Sequence, residues 1–448
     1  MKKAISSVLA LGMSLSMLTA CGGAASSSTA ASTAGSATTA ASTSTLPEAG
    51  TLSGTIRYAS MWNETEAQAD VIKTAIEEFT TIYPDVEITV DWLGRDVRKT
   101  IQASLDAGQV DLWDSPLDAV LPNYADYGYD LTELMAAENP VLDGKTYNDL
   151  ANPALMEAVK SAGGNDQILA VPYTPTVIGM FYNKDQFAEA GITEEPQTWE
   201  EFLDVCEKLK AAGFTPLSVD DGYVVLPFAS YIGRLKGLDF VDQLISDPEG
   251  TPWDDPAVKE AAEAMQELWD KGYMSANSAS NKYPAGQNEV AMGNATMYLV
   301  GSYMLNEVVS IAGEDFNWGC FAFPAPEGSV NGVDVNTIGM QALQVAKNAT
   351  DPELAFYFAT FFTTGKYDEM MSQQTNSIPT AMDTEWPAML ECAKPVLNST
   401  KVNVPYGFGI QYNADFTPIY KELAQKLLGG QTDAATFIAE CKAAVTGK

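Results

Sequence analysis

The chain has 448 residues, of which 46% are hydrophobic and 19% charged, a balance typical of a globular protein with more than one domain. Acidic residues outnumber basic ones by 59 to 25, so the protein would repel a nucleic acid. The absence of histidine excludes Ser-His-Asp and Cys-His catalysis, and four arginines are few for a pocket that clamps phosphates. We therefore expect a neutral or cationic solute, with no metal, cofactor or nucleic acid.

The first 20 residues indicate a secretory signal, because two lysines precede an apolar stretch too short to span a bilayer comfortably. The stretch ends in Leu18-Thr19-Ala20-Cys21, which resembles the lipobox of bacterial lipoproteins, where the cysteine is lipidated. The alternative is an ordinary signal peptide with a chance cysteine. Residues 21–50 predict a flexible linker of small residues. We expect a protein on the extracellular face of a bacterial cell membrane, which it touches only through the lipid anchor.

Strands and helices alternate from residue 55 to residue 116, in the order β-α-β-α-β. This order is typical of a mostly parallel sheet with helices on both faces. Residues 168–183 predict two strands joined through Pro172-Tyr173-Thr174-Pro175, where two prolines keep the chain extended. A second block follows, with helix starts predicted at Thr198, Asp255, Asp351 and near Thr432. The remaining cysteines are predicted as core residues, although an even number in an exported protein permits disulfides.

Several segments together resemble the extracellular solute-binding proteins of bacterial ABC importers, in the carbohydrate-binding family that includes maltose-binding protein. The segments carry a crossover with Tyr-Asn-Lys, a Pro-x-Thr-Trp-Glu-Glu helix start, a Gly-x-Ala-x-Met element and two shorter signatures, at residues 171–185, 196–202, 293–303, 346–353 and 378–379. Each segment alone is weak evidence for the family. Their order and spacing, with the lipobox and linker, carry the resemblance.

The resemblance implies an α/β, two-lobed, periplasmic-binding-protein-like fold, with a ligand cleft between lobes joined by a hinge that the chain crosses several times. The crossings are expected near residues 173–176, 331–338 and 376–380. Lobe 1 would then comprise residues 51–172 plus 338–376, and lobe 2 would comprise residues 176–331 plus 380–448. Ligand would lie at the carboxyl ends of strands, as in open α/β sheets.

Carboxylates and amides hydrogen-bond to sugar hydroxyls, while Trp and Tyr rings cover the C–H faces of sugars. The candidate ligand-binding residues follow strand ends, lie on the crossover or fall in the second lobe: Trp62, Asn63, Glu64, Asp114, Ser115, Tyr173, Thr174, Tyr303 and Phe408. The alternatives are packing of Trp62 within its own lobe, a capping role for Asp114, hinge packing for Tyr173 and Thr174, and mere surface for Phe408. Asp220 and Asp221 are predicted to form a solvated turn.

By the family alignment, Thr176 stands where maltose-binding protein has a sugar-contacting glutamate, which argues against a maltose-type ligand. Tyr303 replaces a tryptophan that stacks on sugar in several relatives.

The predicted function is capture of a carbohydrate, an oligosaccharide in particular, and its delivery to the permease subunits of an ABC importer. We expect a monomer without catalytic residues. The sequence lacks a Gly-x-x-x-x-Gly-Lys-(Ser/Thr) loop, so a separate ATPase would supply the energy. Two alternatives remain open: a cell-surface glycoside hydrolase that uses two carboxylates, and a binding protein for a cationic solute such as a polyamine.

Overall fold

A computed structural model describes residues 52–163 and 167–447 of the chain. The signal, Cys21 and the whole of the predicted linker lie outside the described residues. The strands of the described part are β1 (Ser53–Ser60), β2 (Asp85–Trp92), β3 (Leu112–Pro116), β4 (Val171–Asn183), β5 (Met297–Gly301), β6 (Trp318–Phe321), β7 (Val335–Asn336), β8 (Ile338–Val345) and β9 (Val402–Asn403).

The helices fall into two groups along the chain. Those before β4 are α1 (Ala67–Ile82), α2 (Val97–Asp106), α3 (Leu117–Tyr124), α4 (Thr132–Ala136), α5 (Tyr147–Leu150) and α6 (Pro153–Gly163). Those after β4 are α7 (Lys184–Glu189), α8 (Trp199–Ala211), α9 (Leu226–Lys236), α10 (Leu238–Ser246), α11 (Pro256–Asp270), α12 (Ala285–Ala291), α13 (Met304–Ala312), α14 (Pro352–Phe362), α15 (Gly365–Thr375), α16 (Lys394–Ser399), α17 (Phe416–Leu428) and α18 (Ala434–Thr446).

The main sheet has the strand order β2-β1-β3-β8-β4-β5, and β6 also pairs with β4. Strand β1 runs parallel to β2 and β3, which confirms the parallel start predicted from the β-α-β-α-β order. Strand β8 lies between β3 and β4 and runs antiparallel to both. The sheet is therefore mixed, because a segment more than 200 residues after β3 inserts beside it.

Strand β4 connects the two parts of the sheet. Its first residues pair with β8, and its later residues pair with β5 and β6. The sequence predicted two strands here, whereas the structure has one strand with a register shift between Tyr173 and Thr176. Pro175 lies within this register shift. Proline has no backbone N–H, and a residue at such an irregularity does not have to donate a hydrogen bond to the neighbouring strand. Thr174 beside it has a φ of 43°, in the left-handed region.

The predicted helix starts are confirmed by their caps. Thr198 Oγ1 accepts a hydrogen bond from the Glu201 amide at 3.2 Å, and the Glu201 carboxylate accepts one from the Thr198 amide at 3.0 Å. Asp255 and Asp351 accept hydrogen bonds from amides in the first turns of α11 and α14, at 2.8 and 3.0 Å. These contacts satisfy amides that the first turn of a helix leaves without partners.

Two hydrophobic cores lie on the two sides of the β4 crossing. The first contains Phe79 of α1 and Phe358 of α14, whose ring centroids are 5.4 Å apart. The second contains Phe228 of α9 and Phe437 of α18, with centroids 5.1 Å apart. The first core also includes residues of β5, α13 and β6, among them Val300, Val308 and Trp318, so the two cores do not divide at the predicted lobe boundaries, which stay a prediction.

Strands β7 and β9 pair in parallel and form a second connection, where residues 335–336 lie beside residues 402–403. Arg234 of α9 holds this pair. Its buried guanidinium donates to the carbonyl oxygens of Gly332 and Val335 and to Asn336 Oδ1, the last at 3.0 Å. Asn336 in turn donates to Thr400 Oγ1 at 3.1 Å. A second-lobe helix therefore fixes the segment that enters β8.

Cys206 and Cys441 are fully buried, as predicted from the apolar faces of their helices. The four cysteines within the described residues are all unpaired in the structure. None of the helices in the described ranges is long and apolar enough to cross a membrane.

Candidate ligand-binding cleft

A cleft of about 600 Å³ lies between the lobes. Residues 116–118 before and within α3 line it from the first lobe, and Leu238, Tyr303 and Tyr412 line it from the second. Thr176 of β4 and Gly339 of β8 face each other in its floor. A side chain at position 339 would begin only 2.7 Å from Thr176 Oγ1, so glycine is needed there. The volume falls within the usual range of small-molecule sites, roughly 300–1,000 Å³.

Tyrosines and amides supply most of the polar side-chain groups in this cleft. They are Tyr303, Tyr406, Tyr412, Gln341, Asn403 and Gln411. Asp118 is the only charged side chain among the described residues that line the cleft. The lining therefore suits a neutral ligand with hydroxyl groups and apolar faces.

Gln341 contributes a polar atom that has no partner within the described residues. It lies on β8, opposite Pro116 of β3 and Tyr173 of β4. Its side-chain oxygen is buried yet accepts no hydrogen bond, although the residue lines the cleft. A buried acceptor without a donor is costly, and a ligand hydroxyl can supply that donor. Gln341 is not predictable from the sequence, because a single glutamine within an apolar strand carries no local signal.

Three predicted site residues, Trp62, Tyr173 and Asp114, form one hydrogen-bonded chain. The Trp62 indole Nε1 donates to the Tyr173 hydroxyl at 2.8 Å, and that hydroxyl donates to Asp114 Oδ2. The Met61 amide donates to Asp114 Oδ1 at 2.8 Å. All three predicted residues are buried, with 7%, 1% and 0% of their surface exposed. The structure thus brings the three residues together. Their polar groups, however, are used in hydrogen bonds to one another.

The carboxylate of Asp114 is fully buried. Burial raises its pKa to about 6, although the hydrogen bonds from Tyr173 and Met61 act in the opposite direction. Burial and the nearby Asp114 carboxylate raise the pKa of the Tyr173 hydroxyl, which remains a proton donor. Asp114 therefore joins β3 to β4 through charge-assisted hydrogen bonds when it is ionised.

Arg95 covers one face of the Trp62 ring. The centre of its guanidinium lies 4.7 Å from the ring centroid, within the range of a cation–π contact. Arg95 also donates to the Met61 carbonyl at 2.6 Å and to the Glu66 carboxylate at 2.8 Å. Trp62 consequently packs within its own lobe in this structure, and Arg95 would have to move before a sugar could stack on that face.

Asn63 and Glu64 are exposed in the turn after β1. The Asn63 amide side chain donates to Glu66 Oε2 at 3.1 Å, and the Glu64 carbonyl accepts from Lys73 Nζ at 2.6 Å. The Asn63 side chain also lies close to Gly94, where a Cβ would come within 2.6 Å of its oxygen. The turn is thus held by its own residues and by the loop after β2.

Ser115 and Thr174 are buried, and neither side-chain hydroxyl has a partner within the described residues. Ser115 lines a second cavity of about 420 Å³, together with Arg98, Gln102 and Asn123. Thr174 occupies the irregular part of β4 described above. Ser115 lies near the end of β3, and Thr174 lies on the crossing strand β4, but neither is among the residues that line the large cleft.

Tyr303 and Phe408 have different surroundings. Tyr303 is half-buried and lines the cleft, with its ring centroid 6.2 Å from that of Tyr223. Phe408 is only 5% exposed and belongs to the second core. A Cβ at Gly233 would lie 2.2 Å from the Phe408 ring, which shows how tightly α9 covers it. The structure therefore places Phe408 in the core, and its neighbour Tyr406 reaches the cleft instead.

The prediction of a solvated turn at Asp220 and Asp221 is wrong for Asp220. Asp220 is completely buried and accepts hydrogen bonds from the amides of Gly222 and Gly286, both at 3.0 Å. Burial raises its pKa. Asp221 is partly exposed and forms an ion pair with Lys282 at 3.1 Å. The pair therefore anchors a loop beside the cleft, which the sequence could not show because the packing partner lies more than 60 residues away.

The chain matches the family model described as bacterial extracellular solute-binding protein over residues 74–388, more than half of its length. The chain belongs to this family. Membership confirms the predicted resemblance and the expectation of a solute-binding protein rather than an enzyme.

Individual relatives agree with this assignment. The solute-binding protein is 27% identical over 323 residues to the multiple sugar-binding protein of Streptococcus mutans. The aligned residues cover 70% of this chain and 71% of the relative. It superposes on the apo form of RafE from Streptococcus pneumoniae with a TM-score of 0.68 at 20% identity, covering 88% of this chain and 98% of RafE. RafE in complex with raffinose gives a TM-score of 0.60, again at 20% identity, and the superposition covers 88% of this chain and 99% of RafE.

A probable secreted solute-binding lipoprotein from Streptomyces coelicolor gives a TM-score of 0.68 at 15% identity, with coverage of 87% and 98%. Together these superpositions confirm the two-lobed α/β fold predicted from the sequence.

Proposed function

We propose that this solute-binding protein captures a carbohydrate outside the cell and delivers it to the permease subunits of an ABC importer. The observation that carries the proposal is the lining of the cleft. Three tyrosine rings and three amides line it beside a single carboxylate, Asp118. Aromatic faces bind the C–H surface of a sugar, and amides exchange hydrogen bonds with its hydroxyls without introducing charge.

The same lining argues against the two alternatives. A glycoside hydrolase needs two carboxyl groups on either side of the scissile bond, whereas the described lining residues include one. A polyamine carries several positive charges, and a single carboxylate would leave most of them without a partner in the cleft. A neutral solute is the better match.

We propose further that the solute is an oligosaccharide. The relative from Streptococcus mutans is named a multiple sugar-binding protein, and RafE has a structure with raffinose, a trisaccharide. The cleft volume of about 600 Å³ is large for a single sugar ring and supports the same proposal.

The proposed location is the extracellular face of the cell membrane, with lipid-modified Cys21 as the anchor and residues 22–50 as the tether. The lipobox-like Leu18-Thr19-Ala20-Cys21 supports it, and one structural relative is described as a lipoprotein. The permease would work with a separate ATPase, and the binding protein would act as a monomer.

In the proposed mechanism, the lobes close around the sugar. Ligand in the cleft would contact walls from both lobes, so binding favours arrangements in which the walls approach each other. The connections at β4 and at the β7–β9 pair are the places where the backbone would bend. Small-angle scattering should show a smaller radius of gyration with saturating sugar, and an unchanged profile would argue against closure.

The function is tested by a thermal-shift screen of the mature protein with neutral mono- and oligosaccharides and with spermidine. A saccharide that binds only the folded state should raise the melting temperature, and added salt should leave the shift nearly unchanged. A shift with spermidine alone, lost at high salt, would favour the polyamine alternative. If glycans incubated with the protein gained new reducing ends, and this activity co-purified with the protein, the hydrolase alternative would be favoured.

A further inference from the structure

Three tyrosines form a row from the cleft to the outer surface of the second lobe. The ring centroids of Tyr303 and Tyr223 are 6.2 Å apart, and those of Tyr223 and Tyr283 are 6.0 Å apart. Tyr303 lines the cleft, Tyr223 is half-buried, and Tyr283 is 46% exposed. We name this set the tyrosine row. It continues the aromatic side of the cleft beyond the cleft itself.

The outer end of the tyrosine row is held in place although it is exposed. The backbone amide of Tyr283 donates to Asp221 Oδ1 at 2.8 Å, and its hydroxyl donates to Glu307 Oε2 at 2.9 Å. Gln287 Nε2 donates to the same Glu307 oxygen at 3.0 Å. The ring is therefore fixed at its backbone and at its tip. A side chain that is already ordered loses little conformational entropy when a ligand binds to it.

The inner part of the row is ordered by the buried loop around Asp220. The Tyr223 amide donates to the Asp220 carbonyl at 3.3 Å, and Asp220 is fixed by two backbone amides. The Tyr223 ring also contacts Tyr298 of β5, with centroids 5.9 Å apart. A strand and a buried carboxylate thus position the middle ring. This is the structural consequence of the burial of Asp220, which the sequence did not predict.

The rings are tilted relative to one another, by 37° between Tyr223 and Tyr303 and by 65° between Tyr223 and Tyr283. The row therefore turns along its length and does not form a flat platform. Each step of about 6 Å is similar to the length of one hexose unit in a glycan chain. Exposed aromatic surface that continues a cleft is typical of a recognition site.

We propose that the tyrosine row extends the binding site and contacts successive units of a glycan chain that leaves the cleft. This inference rests on the proposed function and adds to it a preference for chain length. The solute is a neutral oligosaccharide long enough to reach Tyr283, and Tyr283 sets the preference for chain length. Short saccharides occupy only the part of the site at Tyr303.

The test measures affinity by titration calorimetry for three neutral series: maltose to maltopentaose, xylobiose to xylopentaose, and sucrose to stachyose. In the series that binds, wild-type affinity should rise with length. Tyr283→Ala should weaken binding of the longest member about tenfold and leave that of the shortest unchanged, because only the longest reaches the ring. Tyr283→Phe keeps the ring and should stay within about twofold of wild type for every length.

The matched control is Ile311→Ala, which truncates a side chain of the same lobe that is 45% exposed. It should bind all lengths as the wild type does, and circular dichroism should show every variant folded. Equal weakening of all lengths by Tyr283→Ala, or no weakening of any, would overturn the extension while the proposed function stands. If no saccharide of any series binds the wild type, the proposed function itself fails and the extension with it.

Discussion

Trp62 and Tyr173 are joined by a hydrogen bond of 2.8 Å, from the indole nitrogen of the first to the hydroxyl of the second. Trp62 follows β1, and Tyr173 lies on β4, the strand that crosses between the lobes. The Tyr173 hydroxyl in turn donates a hydrogen bond to the buried carboxylate of Asp114 at the end of β3. The first-lobe loop that was predicted to touch ligand is thus bound directly to the crossing strand.

Tyr173→Phe should destabilise the protein by about 1–3 kcal/mol, because it removes a donor from buried Asp114 and an acceptor from buried Trp62. The control is Tyr83→Phe. Tyr83 is equally buried, but its hydroxyl has no partner within the described residues, so its loss should be neutral or slightly stabilising. Urea unfolding gives both free energies. Equal effects of the two substitutions would contradict the role of the Trp62–Tyr173–Asp114 chain.

Asp114→Asn should change how stability depends on pH. Burial raises the pKa of Asp114 from 3.8 to about 6, so between these values the folded state holds a proton that the unfolded state has released. The contribution of Asp114 to stability therefore falls as the pH rises from about 4 to about 6, and then stays constant. Over that pH range the free energy of unfolding of the wild type should fall by about 2–3 kcal/mol relative to that of the variant.

The measurement for Asp114 is urea unfolding of both proteins at intervals from pH 4 to pH 7. The asparagine substitution also changes the free energy of unfolding by an amount that does not depend on pH. The informative quantity is therefore how the difference in unfolding free energy between the two proteins changes with pH. A difference that stays constant across the range would show that the Asp114 carboxyl titrates with an ordinary pKa.

Gln341→Leu should lower affinity for the cognate saccharide about tenfold without lowering the melting temperature, since its buried oxygen has no partner within the described residues to lose. Gln431→Leu is the matched control, because Gln431 is an exposed glutamine outside the cleft. Titration calorimetry and thermal unfolding separate the two effects. Unchanged affinity of the Gln341 variant would remove this residue from the proposed site.

Tyr303→Ala should weaken binding of the cognate sugar by about 2–4 kcal/mol, the range for a buried aromatic anchor. Trp62→Ala should approach the same loss only if Arg95 leaves the Trp62 ring when ligand binds, because Arg95 covers one face in this structure. Circular dichroism should first show that both variants are folded. Wild-type affinity in both would mean that these aromatic residues serve packing alone.

Cys21→Ala should release the protein from membranes and leave its melting temperature unchanged, because the substitution removes the proposed lipid site and not any residue of the two cores. Membrane fractionation of cells that express each form is the measurement. Retention of the variant in the membrane fraction would contradict the anchor.

The sequence alone was enough to predict most of the local structure. Alternation of apolar residues predicted β2, and the Thr198 and Asp255 caps predicted the starts of α8 and α11, because these features depend on neighbours only a few residues away. The ordered family segments also predicted the two-lobed fold, which the comparisons confirm.

Only the tertiary structure decided which of the candidate residues meet. Trp62 and Asp114 lie 111 and 59 residues before Tyr173, and no local pattern records that three strand ends bring them into one hydrogen-bonded chain. The burial of Asp220 and the exposure of the Tyr283 ring likewise depend on distant segments that pack around them. Local sequence fixes the period and the ends of an element, whereas burial, hydrogen-bond partners and the shape of a cleft arise from contacts between elements far apart in the chain.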